Sequence, residues 1–414
     1  MSQLGDVGLA VPEILLPATG VDLARWCVVA CDQYTSQPEY WKAVEERVGA
    51  APSTLRLVLP EAWLGASDEA ARIAAIQAEM RAYLERGVFA PPRRGLVVVD
   101  RATPHVRSRL GLLAALDLER YEWRRGAQAL ARATEATVEE RLPPRMRVRD
   151  GALVELPHVL VLIDDPERTV IEPAARAARR RAPLYDTALE PDAGRVRGFP
   201  VDGAAELEAV AAALAKLGSG APFLYAVGDG NHSLAAAKEV WEARKRALPE
   251  AQRATDPLRW ALVELVNVHD PGLRFEPIHR LVFGARAAEL VAELARRAAS
   301  GPARHAVRWL AGGAAGELAL HGPAGSGPVA VLQTALDAWL AERPAARIDY
   351  IHGERTLAQL AAAPERVGFA LPPFERAALF SSVARDGALP RKTFSLGDAE
   401  EKRFYLEARR IRAS

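Results

Sequence analysis

Apolar, β-branched runs bounded by turn residues alternate with helix-patterned segments along the whole chain, and no fixed-period repeat interrupts them. These observations predict an α/β (mixed α+β) protein built from mixed sheets with flanking helices. The chain has 414 residues, 50% hydrophobic and 26% charged, enough to bury a large core. At ~150 residues per domain the length suggests two or three domains. The boundary is expected near residue 220, giving an N-terminal α/β domain over 1–220 and a C-terminal one over 221–414.

Strands are expected over 26–30, 55–59, 95–100, 112–117, 153–163, 222–227, 260–268, 306–310, 328–332 and 347–351, each a short run rich in Val, Ile or Leu between turn residues. Helices are expected over 38–48, 68–85, 172–181, 204–217, 231–247, 285–299, 334–341, 356–362 and 373–383. Residues 300–327 carry Gly and Pro at short intervals around two brief strands, the pattern of hairpins.

Lys+Arg number 54 against Asp+Glu 53, a net charge of +1, so a dedicated nucleic-acid or membrane-surface protein is not expected. The N-terminus has neither a basic leader nor a continuous apolar stretch, and no apolar run reaches the ~20 residues that span a bilayer. A cytoplasmic location is therefore expected. Cys27 and Cys31, four apart in an apolar stretch, match neither a zinc or redox pair nor a disulfide framework and are expected in the core. Only six basic residues are lysines, Lys42, Lys216, Lys238, Lys245, Lys392 and Lys402, which makes each a candidate for a position where arginine does not serve.

The strongest chemical signal is Gly228-Asp229-Gly230-Asn231-His232-Ser233, a turn between a buried-type strand and a helix opening at about Asn231. Gly228 and Gly230 let the backbone approach a ligand, and Asn231 or Ser233 suits the helix start. The amides and positive dipole end of that helix form an anion site for a phosphate or carboxylate. Asp229 either caps the turn, holds a divalent cation or acts as a base; His232 either lies on the surface or transfers a proton. The Walker A and G-x-G-x-x-G patterns are absent, and with them any flavin or NAD signature.

Other constellations support the same chemistry. Arg391, Lys392, Thr393 and Ser395 lie in a Pro-to-Gly polar loop suited to a phosphorylated or carboxylated ligand. Lys402, beside Glu400 and Glu401, fits a solvated helix face. Thr137 and Glu140 have capping-box spacing, while Arg132, Glu135 and Arg145 are polar enough to line a cleft. Asp164 and Asp165 end an apolar strand, where paired carboxylates either make a turn or, with Asp229, hold Mg²⁺. Asp32 caps a helix or reaches a ligand, and His158 and His269 fit structural roles. No zinc spacing and no serine-hydrolase elbow is present.

The turn resembles the Asp-Gly-x-His strand-to-helix turn of ParB- and sulfiredoxin-like proteins, where it cradles nucleotide phosphates. In that class an arginine usually follows the histidine; Ser233 stands here, so another cation is required, and Arg280, in Pro277-Ile278-His279-Arg280, is the candidate. The whole chain is identified as a member of the domain-of-unknown-function family 1015. The matching stretches are 30–41, 132–135, 141–145, 155–158, 162–166, 228–234, 277–280, 389–395 and 401–405. This resemblance makes His279 and Arg280 a binding pair and admits a ParB/sulfiredoxin-like subdomain.

The expected function is an enzyme binding a phosphorylated ligand, most specifically a phosphotransferase using ATP or another nucleotide with Mg²⁺ on a small amino-acid-like metabolite. The alternatives are a non-catalytic nucleotide- or metabolite-binding regulator of ParB-like type and a hydrolase using the same site. The regulator predicts a DNA-binding element with a basic face; the best candidate is the arginine-rich stretch 176–181, which fits a solvated helix end better.

Overall fold

The computed structural model of the chain describes residues 3–189 and 191–412. The expected mixed α/β class holds. The chain divides into two compact units: the first runs to Leu273 and adds Phe380–Gly387 and the segment from Gly397 onward, and the second comprises Arg274–Leu379 and Ala388–Leu396. The division thus falls at Leu273 rather than near 220. Tyr225–Asp229 lies inside the large sheet of the first unit, pairing with Leu160–Ile163 on one side and Ala131–Ala133 on the other.

That sheet has ten strands, running Tyr185–Leu189, Gly194–Val201, Leu96–Ala102, Arg109–Asp117, Trp260–Asn267, Leu160–Ile163, Tyr225–Asp229, Ala131–Ala133 and Tyr121–Glu122, with Leu9–Ala10 added against Arg109–Asp117. Most pairs are antiparallel, but Leu160–Ile163 runs parallel to Trp260–Asn267, and Ala131–Ala133 runs parallel to both Tyr225–Asp229 and Tyr121–Glu122. The central strands are apolar on both faces, as a strand covered on both sides requires: Leu160, Val161, Leu162 and Ile163 are all fully buried. The hairpin Tyr185–Leu189 with Gly194–Val201 was not legible because its exposed residues interrupt the apolar pattern.

The second unit carries an antiparallel sheet in the order Ala314–Gly322, Ala303–Ala311, Arg366–Ala370, Phe275–Phe283, Arg347–His352, with Phe394–Leu396 paired to Phe275–Phe283. Alternation assigns its faces: Val282, Val307 and Phe369 pack with residues of helices Ala287–Arg297 and Pro328–Ala341, whereas Leu281, Leu310 and Ile351 pack with Leu357 of helix Glu354–Ala361.

Helices Pro38–Val48 and Asn231–Ala247 have the expected bounds. The strand expected at 328–332 is instead the first turn of helix Pro328–Ala341, where Pro328 has the pre-set φ of a first helical position. Residues 55–59 begin as a 3₁₀ turn, Thr54–Leu57, capped by Ser53, and only Val28–Val29 of 26–30 is strand. The expected helix 373–383 begins later, at Leu379, and runs to Asp386. The Thr137–Glu140 capping box does not form: Val138 precedes the 3₁₀ turn Glu139–Arg141 without a side-chain cap, and the Thr137 hydroxyl is buried with no partner among the described residues. No helix of the described residues is long and apolar enough to cross a membrane.

Candidate functional site

The turn at Asp229 is set by the irregularity of its strand. Val161 pairs with Val227 but Leu160 pairs with Asp229, so Gly228 is the extra residue of a bulge, a device that re-aims the next side chain. Gly230 follows at φ 76°, and a Cβ there would sit 3.0 Å from Val159 Cγ2. Conformation and close packing therefore both require glycine. It is also the N-cap of the 17-residue helix Asn231–Ala247, so no side chain caps that helix at its first residue. The first-turn amides of such a helix have no intrahelical acceptors, and its dipole end is positive.

Both carboxylate oxygens of Asp229 are engaged: the Gly230 amide donates to Oδ1 at 3.0 Å, and Lys402 Nζ donates to Oδ2 at 3.0 Å. Lys402 is not the solvated residue its acidic neighbours suggest; its side chain is 8% exposed. The segment that delivers it is firmly held. Phe404–Tyr405 pairs with Val28–Val29, and Arg403 donates to the Pro157 carbonyl at 2.8 Å, to Glu407 at 2.6 Å and to Glu264. Arg403 is buried with both carboxylates.

Three further side chains tie the turn down. Thr134 donates to the Val227 carbonyl at 2.6 Å, and Asn231 Nδ2 donates to the same oxygen at 3.2 Å. The Val138 amide donates to His232 Nε2 at 3.2 Å, so that nitrogen carries no proton in this arrangement. Ser233 Oγ lies 2.9 Å from His158 Nε2, whose Nδ1 lies 3.0 Å from the Tyr405 hydroxyl; that hydroxyl accepts from the Cys31 amide at 3.2 Å. Burial pushes the Tyr405 phenol well above its ordinary range, so it keeps its proton.

The other expected site residues of the first unit divide. Glu135 follows the strand Ala131–Ala133, whose pairing with Tyr225–Val227 ends at Ala133. Arg132 is turned into the fold: it is buried, donates to the Ala129 and Pro222 carbonyls and stacks over Phe223. Arg145 donates to the Arg141 carbonyl and to Glu61. Asp32 accepts from Gln33 at 2.9 Å, and burial followed by the Asp32 charge raises the Glu61 carboxyl. Asp164 and Asp165 do not join Asp229. Leu160, not Ile163, pairs with Asp229, so the two carboxylates emerge about 13 Å away at the opposite end of the strand pair. Asp164 meets His269 at 2.7 Å; Asp165 accepts from the Thr169 and Val170 amides at 2.7 and 2.9 Å and from the Thr169 hydroxyl. These three aspartates therefore do not assemble one Mg²⁺ site.

In the second unit, Arg280 is fully buried, donating to Gln333 Oε1 at 2.8 Å and to the Ile278 and Arg391 carbonyls, with its guanidinium over Tyr350. His279 Nδ1 accepts from the Leu371 amide at 3.1 Å, and burial lowers its pKa, keeping the ring neutral. Arg391 donates to the Tyr350 hydroxyl at 2.7 Å, the Thr393 hydroxyl donates to the Pro390 carbonyl at 2.6 Å, and Ser395 is buried opposite Glu276 in the sheet. Lys392 is exposed at φ 57°.

A family model described as Protein of unknown function (DUF1015) matches residues 15–360. The chain belongs to that family. No curated protein matches it. Among solved structures, this DUF1015 chain is similar to a free serine kinase (E30A mutant) in complex with ADP, at 9% identity and a TM-score of 0.39, covering 73% of this chain and 92% of that one. A conserved hypothetical protein from Pyrococcus furiosus gives 10% identity and a TM-score of 0.34, covering 72% and 90%. SbnI with a C-terminal truncation from Staphylococcus aureus gives 9% and 0.35, covering 69% and 82%.

The residues that sequence reasoning missed are Lys402, His158 and Tyr405. Each lies in a stretch that carried the family resemblance, 155–158 or 401–405, and that shared membership was the available signal. Their local patterns pointed elsewhere: a lysine after two glutamates suggests a surface, and a histidine before a buried strand suggests a core.

Proposed function

We propose that this DUF1015 protein binds the phosphates of a nucleotide at the turn 228–233 and acts as a phosphotransferase on a small, hydroxyl-bearing, amino-acid-like metabolite. The observation that carries the reading is the glycine-capped start of a 17-residue helix with Lys402 held at the adjoining Asp229. First-turn amides receive phosphate oxygens, and Lys402 supplies the cation that the serine after His232 does not. Asp229 holds Lys402 in place, and Glu135, two residues past the strand that pairs with Tyr225–Val227, is the candidate to orient an acceptor hydroxyl. His232 fixes the turn to the backbone at Val138. Phosphoryl transfer asks chiefly for such positioning and charge neutralisation. The aspartates expected to hold Mg²⁺ do not fit a shared ion, so no step is assigned to a metal on that trio.

The test is thermal denaturation with ADP and ATP, with and without Mg²⁺, followed by ADP release in the presence of hydroxyl-bearing and hydroxyl-free amino acids. Saturating nucleotide is expected to raise the melting temperature, and Lys402→Met to weaken binding at least tenfold. If no nucleotide moves the melting temperature, the reading fails; binding without acceptor-dependent ADP release leaves a binding protein in place of an enzyme.

A further inference from the structure

Behind the start of helix Asn231–Ala247 lies a cavity of about 140 Å³ in the first unit. Leu57, Leu59, Met80 and Val148 form much of its apolar wall, and His158 and Ser233 both line it. The charged lining residues, among those described, pair off, Arg145 with Glu61 and Arg149 with Glu155, and leave no net charge on the wall. A cavity so lined suits a neutral, largely apolar group. Its volume takes about six non-hydrogen atoms, since an apolar cavity of ~150 Å³ takes benzene.

At the polar side of that cavity a hydroxyl stands beside a base. Ser233 Oγ lies 2.9 Å from His158 Nε2, and the far nitrogen of the ring, Nδ1, lies 3.0 Å from the Tyr405 hydroxyl. Tyr405 is buried and is held in turn by Cys31, whose amide donates to the phenol oxygen at 3.2 Å and whose thiol sulfur accepts from the phenol. With its proton on that sulfur, the phenol oxygen accepts from His158 Nδ1–H, and the lone pair of Nε2 faces Ser233. A serine within hydrogen-bond reach of an imidazole, with the ring oriented by a third group, is the arrangement that activates a hydroxyl nucleophile. Ser233 is also the third residue of its helix, where the positive dipole end favours negative charge that develops nearby.

We infer that Ser233 is the nucleophile, and His158 its general base, in the hydrolysis of small neutral esters whose acyl chain lies in the cavity against Leu57, Leu59, Met80 and Val148. Ser233 Oγ attacks the ester carbonyl carbon as its proton passes to His158 Nε2. The bond from that carbon to the alcohol oxygen breaks, and the alcohol leaves with the proton. Water then attacks the acyl-serine while giving a proton to Nε2, the acid departs, and Ser233 Oγ takes that proton back. No short motif marks this serine because its base comes from 75 residues away. The inference uses the Ser233 hydroxyl and His158, which the nucleotide reading does not, and stands without it.

The test gives the full chain 4-nitrophenyl butanoate, with 4-nitrophenyl octanoate as a probe of size, follows release of 4-nitrophenolate and locates the acyl adduct by peptide mass spectrometry. Butanoyl is expected on Ser233, with kcat/KM about tenfold or more above that for the octanoate, whose chain exceeds the cavity. Ser233→Ala is expected to carry no adduct and to lose about a hundredfold or more in rate. His158→Gln, which keeps a hydrogen bond to Ser233 but takes no proton from it, is expected to lose about a hundredfold or more as well. A cooperative melting transition confirms that each variant is folded. An adduct on another residue, an undiminished rate in either folded variant, or equal kcat/KM for the octanoate overturns the inference. If His158→Gln does not fold, Ser233→Ala and the position of the adduct decide it.

Discussion

Two strands of the large sheet end in an aspartate followed by a helix, and the two ends are built oppositely. After Leu160–Ile163, Asp165 turns its carboxylate onto the Thr169 and Val170 amides that lead into helix Ile171–Ala178. That carboxylate is used up by the loop just ahead of the helix, on the amides of the N-cap residue Val170 and of Thr169 before it. After Tyr225–Val227, Asp229 turns instead to Lys402 and the Gly230 amide, and the glycine at the N-cap offers the helix no side-chain cap. Identical residue types at equivalent strand ends thus serve different ends: one aspartate folds back on its own loop, and the other recruits a distant lysine beside a glycine-capped helix, where there is room for an external anion.

The comparison breaks most visibly through the residue next to Lys402. Arg403→Met leaves Glu264 and Glu407 buried without their cation, and loss of one partner from such a cluster costs about 3–5 kcal/mol. Denaturant unfolding should show that loss, and ADP affinity should fall with it because the segment carrying Lys402 is released. Asp165→Ala removes the acceptor that holds the loop ahead of the other helix, at an expected cost of about 2 kcal/mol, while ADP binding stays within twofold. A parallel loss of ADP binding in that variant would show that the two helix starts are not independent. The smallest stability change belongs to Gly230→Ala, about 1–2 kcal/mol for a side chain at φ 76° against Val159. Its ADP affinity should nevertheless drop more than tenfold, and retained binding would mean that the turn does not carry the phosphates.

The two ends also show what local sequence conveys. The helix at Asn231 was legible to the residue, since glycine before it and periodic apolar residues within it are local signals. Pro328 misled because Pro-Val-Ala-Val-Leu is a short apolar run, and short runs suit a strand or a buried helix equally; only the helices and sheet around it settle the choice. Asp229 and Asp165 were indistinguishable because a carboxylate's role depends on its partner. One finds its amides four and five residues on, the other a lysine 173 residues away.

By itself the sequence determined the α/β class, family membership and the glycine-bounded turn from 228 to 233, because these rest on apolar periodicity, backbone freedom and residues adjacent in the chain. Tertiary structure alone decided which cation meets that turn and which carboxylates stand apart from it. Strand register and the burial of Arg403 fix those contacts, and neither leaves a trace in the spacing of neighbouring residues.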